Sequence, residues 1–336
     1  MAAWLQRIWY RSTPPPLALR PLSWLFGLTV RLRRAAYERG WYRPERLQRP
    51  VIVVGNLTVG GSGKTPLVIW LCARLRAEGF SPGVVLRGYG GGAARGSIPQ
   101  RVEPDSDPDV VGDEALLLRR RTGEPVAVCR QRAQAAKLLL DAGVNVIVSD
   151  DGLQHLAMAR NFEIAVVDAE RGFGNGYLLP AGPLREPRQR LEQVDAVVLN
   201  GMGATDDPAT AVRGAFRMIL AGDRLVPLNG GDPRKLASFA GQSVHGVAGI
   251  GNPQRFFATL RAAGLVVVEH PFPDHHRYRE SQIRFGDGLP VLMTEKDAVK
   301  CRKLGGTDHW FLPVAAQLAD ADAAALMARL RRALGV

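Results

Sequence analysis

The chain has 336 residues, of which 46% are hydrophobic and 23% charged, and it carries a net charge of +12. That is material for about two domains of ~150 residues each, and the balance excludes a disordered, fibrous or collagen-like chain. The three cysteines, Cys72, Cys129 and Cys301, form no C-x-x-C pair, which gives no zinc site and no disulfide framework and fits a reducing cytosol.

The charge is uneven. Residues 1–49 hold ten arginines against Glu38 and Glu45, a local balance of +8. Within this segment Pro21–Val30 is uncharged and mostly apolar, with Arg20 before it and Arg31, Arg33 and Arg34 after it. The run is far short of the ~20 residues that span a bilayer. The arginines that follow it stand where a signal peptide has its small cleavage residues. Trp4, Trp9, Tyr10, Trp24, Phe26, Tyr37, Trp41 and Tyr42 are interleaved with the arginines. Aromatic and cationic residues around a short apolar helix predict an amphipathic helix lying on a membrane surface. The competing reading is a helix docked on the protein's own core. A nucleic-acid arm would leave the apolar run without a role, so no nucleic-acid partner is expected.

The next element is the most informative. The apolar strand Val51–Val54 runs into a glycine-rich turn, Thr58-Val59-Gly60-Gly61-Ser62-Gly63-Lys64-Thr65, and then into a helical pattern from Leu67 to Glu78. This strand–loop–helix order suits a phosphate-binding loop, although the usual first glycine is Thr58 here. Backbone N–H groups of Gly60 to Gly63 would wrap phosphate oxygens at the positive end of the helix. Lys64 would reach the β- and γ-phosphates, and the Thr65 hydroxyl would ligate Mg²⁺.

Further apolar, β-rich runs follow at Val84–Leu86, Val126–Val128, Val144–Val148, Ile164–Val167 and Ala196–Leu199. Helical patterns lie between several of them, and Gly79 and Gly143 close two of those helices. Near-continuous apolar strands alternating with helices predict a doubly wound, mostly parallel α/β sheet. In such folds ligands sit beyond the carboxyl ends of the strands. The strand Val144–Val148 ends in Asp150 and Asp151, followed by Gln154 and His155. A carboxylate there is the usual second anchor for Mg²⁺. Asp113 and Glu114 open an amphipathic helix, Ala115–Arg121, where helix capping alone would also favour acids. Arg87 follows a strand, and Arg185 and Glu186 sit in a proline-stiffened loop. Both regions could grip a phosphorylated or hydroxylated substrate.

Gly201–Pro208 reads as a linker or an exposed loop. Beyond it runs at Val244–Ile250, Val266–Glu269, Val291–Thr294 and Phe311–Val314, with helices at Arg255–Ala263 and Leu318–Leu334, predict a smaller α/β domain over 216–336 behind a core domain of 50–215. A substrate is expected in the cleft between them. Asp274-His275-His276 follows one of the later strands. It could hold a general base, an oriented partner for a carboxylate, a metal pair or a plain turn.

These pieces together resemble the tetraacyldisaccharide 4′-kinase family of lipid A biosynthesis. The matching stretches are V-G-N-L-T-V-G-G-S-G-K-T-P (54–66), L-R-G-Y-G (86–90), V-G-D-E (111–114), D-D-G-L-Q-H (150–155), L-L-P-A-G-P-L-R-E (178–186), F-P-D-H-H (272–276) and M-T-E-K-D-A-V-K (293–300). They fall in order over nearly the whole chain, and Thr58 belongs to the family's own version of the loop. The resemblance implies a kinase with a P-loop NTPase-like fold. It would move the γ-phosphoryl group of ATP to the 4′-hydroxyl of an acylated glucosamine disaccharide 1-phosphate, at the cytoplasmic face of a bacterial inner membrane. It implies ATP and Mg²⁺ as cofactors, with ATP held by Thr58 to Thr65. It implies a catalytic Asp113–His275 pair acting with Lys64 and Asp151, metal binding by Thr65, Glu114 and Asp150, and substrate contacts from Arg87, Gln154, His155, Arg185 and Glu186. A second reading of the same loop is a membrane-associated P-loop switch or metallochaperone-like regulator. It would need a guanine-reading N-K-x-D motif, of which Thr294-Glu-Lys296-Asp297 is a partial likeness.

Overall fold

A computed structural model describes residues 3–335 apart from 12, 90, 93–95, 203–211 and 213. Most of the expected linker thus lies outside the described residues.

Two helices, α1 (Ala3–Trp9) and α2 (Leu19–Glu38), precede the sheets. The chain then alternates through β1 (Val51–Gly55), α3 (Lys64–Ala77), β2 (Pro82–Leu86), β3 (Gln100–Val102), α4 (Pro108–Val111), α5 (Asp113–Thr122), β4 (Val126–Val128), α6 (Arg132–Leu140), β5 (Val146–Asp150), β6 (Phe162–Asp168), β7 (Ala196–Asn200) and β8 (Phe216–Ala221). The remaining elements are β9 (Arg224–Pro227), β10 (Arg234–Lys235), β11 (Ser243–Ala248), α7 (Pro253–Ala262), β12 (Val266–Pro271), β13 (Val291–Thr294), α8 (Glu295–Cys301), β14 (His309–Leu312), β15 (Ala315–Leu318) and α9 (Asp320–Leu334).

The larger sheet has nine strands in the order β15-β8-β7-β6-β1-β5-β2-β4-β3. Its central strands are parallel, and only the outermost pairs, β3 with β4 and β15 with β8, are antiparallel. The central strands read as unbroken apolar runs because both their faces are covered. Ile52 and Val54 of β1 face one hydrophobic cluster, with α3, α5 and α9. Val51 and Val53 face the other, with α6. The smaller sheet has six strands in the order β10-β9-β14-β13-β11-β12.

The expected boundary at residue 216 does not describe these sheets. β8, β15 and α9 belong to the larger unit, and only the stretch from β9 to β14 forms the smaller one. The smaller unit is therefore an insertion, entered after β8 and left before β15. The two crossings touch: a side chain added at Gly222 would collide with the carbonyl of Pro313. β8 and β15 escape a reading by apolar runs because they are partly exposed, with burial that alternates along the strand.

One face of α2 packs on the larger unit. Ser23 donates from Oγ to the Leu178 carbonyl at 2.7 Å, and a Cβ on Gly27 would lie 2.8 Å from the Leu178 side chain. The opposite face leaves Leu22, Trp24, Leu25, Leu28 and Leu32 exposed. The packed face fits the reading of a helix docked on the protein's own core, while the other face is left exposed. Among the described residues no helix is long and apolar enough to cross a membrane.

Candidate active site

Parallel pairing sets Val54 beside Asp150, so the end of β5 lies against the start of the phosphate loop. The turn needs glycine at two points, since Gly60 has φ 113° and Gly63 has φ 90°, conformations that side chains oppose. Gly63 caps α3, the helix whose N-terminus opens with Lys64 and Thr65. Asn200, at the end of β7, donates to the Ser62 carbonyl at 2.9 Å and fixes the loop from below. The Ser62 hydroxyl is buried and has no hydrogen-bond partner. Lys64 donates to Asn56 Oδ1 at 3.0 Å and stands 3.4 Å from Asp151.

The two aspartates differ. Asp150 is buried, and burial pushes its carboxyl up to about 7, with Glu114 and Asp151 adding to the effect. Its Oδ2 receives the Thr65 hydroxyl at 3.4 Å. Burial also works against ionisation of Asp151, yet Lys64 and Arg185 hold that carboxyl well below the usual range. Arg185 grips Asp151 with two N–H groups, at 2.7 and 3.0 Å. It also donates to the Asn56 carbonyl at 3.0 Å. Arg132, itself buried, ties down the carbonyls of Asp150 and Asp151 at 3.1 and 2.8 Å.

Across the cleft the smaller unit supplies Asp274, His275 and Lys296. His275 Nδ1 lies 3.0 Å from Asp113 Oδ1 and 3.1 Å from Oδ2. The sequence separates these two residues by 162 positions, and they come from different units. Burial disfavours the Asp113 carboxylate, but Lys296, His275 and Lys300 hold it ionised, below its ordinary range. Burial pulls the His275 imidazole down and its hydrogen bond to Asp113 more than offsets this, raising it. Lys296 donates to Glu114 and to Asp274, each at 2.9 Å, and lies 3.4 Å from His275 Nε2. Burial works against its charge too, but Glu114, Asp113 and Asp274 keep the ammonium firmly protonated.

The expected residues thus divide. Thr58 to Thr65, Asp150, Asp151 and Arg185 form one cluster, and Asp113, Glu114 and His275 form a second. Glu114 joins the two through its charge on Asp150. Glu186 turns away: it is buried, accepts from Gln154 at 2.7 Å, and faces Arg34 and Arg190 at 3.6 Å each. Gln154 also donates to the Asn56 carbonyl at 3.1 Å. Both residues therefore brace the loop from behind. His155 is held neutral, pushed down to about 4 by burial and by nearby arginines. Arg87 is exposed at the end of β2.

Three partners escaped the sequence reading. Asn56 and Lys296 lie inside motifs already noted, V-G-N-L-T and M-T-E-K-D, where neighbouring residues drew the attention. Asn200 ends a strand with no motif around it.

A sequence model of the family described as tetraacyldisaccharide-1-P 4′-kinase matches residues 16–334. The chain belongs to the tetraacyldisaccharide 4′-kinase family. Among its relatives, the tetraacyldisaccharide 4′-kinase of Alkalilimnicola ehrlichii is 52% identical over 332 residues, covering 98% of this chain and 97% of the relative. That of Methylobacillus flagellatus is 50% identical, covering 98% and 96%. Among solved structures, an "apo" form LpxK from Aquifex aeolicus in complex with ATP is similar with a TM-score of 0.75 and 26% identity, covering 94% of this chain and 98% of that one. The family's fold therefore extends over both units.

Proposed function

We propose that the chain transfers the γ-phosphoryl group of ATP to the 4′-hydroxyl of a tetraacylated glucosamine disaccharide 1-phosphate, working at a membrane surface. The observation that carries this reading is the 3.0 Å contact between Asp113 of the nucleotide-binding unit and His275 of the inserted unit. It sets an ionised carboxylate and an oriented imidazole across the cleft from a phosphate loop.

Phosphoryl transfer is mostly positioning and charge stabilisation. Lys64 and Arg185 offset charge on the oxygens of the transferred group. Asp113 accepts the proton of the attacking sugar hydroxyl, and His275 holds that carboxylate in line. Asp151 keeps Lys64 and Arg185 converged on one point. Closure of the inserted unit over the loop excludes water that would otherwise take the phosphoryl group.

The residues present also fit a magnesium ion. Thr65 and Asp150 offer oxygen donors only, as a hard divalent cation requires, and Glu114 stands close enough to raise Asp150. The orphaned Ser62 hydroxyl fits a phosphate oxygen. Bound with ATP, the ion would neutralise charge on the bridging and terminal phosphates. The sign of its pH dependence follows from Asp150. Its folded-state value lies above the ordinary carboxylate value, so the proton is held until the pH rises through about 7. Mg²⁺ affinity of the nucleotide complex is expected to fall about tenfold per pH unit below that point. Calorimetric titration at several pH values checks this, and in Asp150→Asn the slope should vanish.

The exposed apolar face of α2 and the arginines around it support residence on the cytoplasmic face of an inner membrane, where the sugar head of a glycolipid is within reach. The P-loop switch reading loses its support in the inserted unit. Asp297 is fully buried and accepts from Gly249, Tyr278 and Thr294, so it has no free oxygen to read a guanine base. The test is a kinase assay of the purified protein with Mg-ATP and the disaccharide lipid, with products separated by thin-layer chromatography. A single product carrying the extra phosphate is expected. GTP turnover with no phosphorylated lipid would reverse the assignment.

A further inference from the structure

We infer that the cleft between the end of α2 and the amino ends of β1 and β6 binds the phosphate of an anionic phospholipid headgroup. This inference rests on the membrane-surface reading above. The cleft measures about 720 Å³ and is lined by Arg34, Arg46, Arg49, Arg160 and Arg190. It lies at the strand ends opposite the phosphate loop, since Val51 rather than Gly55 borders it. It is thus separate from the nucleotide site.

The carboxylates that share the cleft are already engaged. Glu163 is taken by Arg160 and Arg190, Glu38 by Arg34 at 2.8 Å, and Asp195 accepts the Glu163 N–H at 2.7 Å. Among the described residues Arg46 and Arg49 make no ion pair. Arg190 is 4% exposed; Glu163 pairs with it and Glu186 faces its Nε at 3.6 Å, while its Nη1 has no hydrogen-bond partner. A buried donor left unspent is costly unless a ligand completes it, and a guanidinium's planar fork matches phosphate oxygens.

Position selects a lipid over a free ion. The same helix that supplies Arg34 exposes Trp24, Leu25, Leu28 and Leu32, and Trp41 and Tyr42 beside the cleft are 73% and 60% exposed. A phospholipid at the end of α2 would give its phosphate to the arginines and its acyl chains to the lipid layer that the apolar face enters.

Co-sedimentation of the full chain with vesicles tests this, comparing phosphatidylcholine alone with phosphatidylcholine containing phosphatidylglycerol. The wild type should prefer the anionic vesicles by about tenfold or more, the scale expected for two arginines at a charged surface. Arg46→Glu/Arg49→Glu should lose that preference. Arg39→Glu/Arg43→Glu, with the same change of charge outside the cleft, should keep most of it. Equal losses in the two variants would mean general surface charge and overturn the site. A second arm measures thermal stabilisation by inorganic phosphate. If phosphate stabilises the wild type and not the cleft variant, while vesicle binding is the same in both, the group bound is soluble and the lipid assignment fails. Trp24→Glu/Leu28→Glu reports separately on the helix: unchanged binding to both vesicle types would remove the membrane-surface reading itself.

Discussion

Asp113→Asn lowers kcat by about 10³-fold, the middle of the range for loss of a positioned proton acceptor, while ATP binding is retained. The carboxylate is 4% exposed and held ionised by two lysines and a histidine, so at neutral pH it is available to take a proton without first losing one. Asparagine preserves its shape and removes only that capacity. His275→Ala is expected to cost a similar factor, because without the imidazole the carboxylate loses its alignment towards the acceptor. Groups that act as a unit are not additive, so Asp113→Asn/His275→Ala should be no slower than the worse single variant. Steady-state assays of the three proteins, with ATP affinity measured separately, decide the matter. A double variant slower by the product of the single effects would mean that the two residues act independently.

Lys296→Met is the second large effect. One ammonium joins Glu114 of the larger unit to Asp274 of the inserted unit, and it sits 3.4 Å from the histidine. Its side chain is 15% exposed, so water does little to replace it. Removal leaves Asp113, Glu114 and Asp274 facing one another without their shared cation, at a cost of about 3 kcal/mol or more. The repulsion opens the cleft, and a displacement of about 1 Å at the reacting atoms is worth roughly 10²-fold in rate. The expected signature is a fall in kcat with the KM for ATP nearly unchanged, because the phosphate loop lies on the other side of Glu114. Lys296→Arg should recover much of the loss, since a guanidinium can span both carboxylates. Chemical denaturation and kinetics on the same preparations separate the two effects. A Met variant that is destabilised but has normal kcat would make Lys296 a purely structural tie.

How much of this was legible in the sequence depended on range. The central strands were plain because burial on both faces favours runs of β-branched residues, as in Val51–Val54 and Val146–Val148. The phosphate loop was plain because its chemistry is contained in eight consecutive residues. Asp150 was legible as a neighbour of that loop because it ends the strand paired with β1. The last two strands at one side of the larger sheet were not legible: β8 and β15 are partly exposed, and neither reads as a long buried run. Nor was Lys296, whose partner Glu114 is 182 residues away. No local pattern records a contact at that separation, and here the motif resemblance pointed to the stretch without giving the lysine a task. Glu186 shows the reverse case. Its place in a motif suggested contact with substrate, but the arginines of α2 and of the following loop draw it inward.

The inserted unit is attached through two chain crossings that lie side by side at Gly222 and Pro313. Two adjacent attachments define a line, and a body fixed along a line swings but does not slide or twist freely. Opening and shutting would then follow a single arc, like a door on paired hinges. On such an arc the 3.0 Å contact of His275 with Asp113 would belong to the shut position, so the attachment would govern when the two halves of the chemistry are assembled.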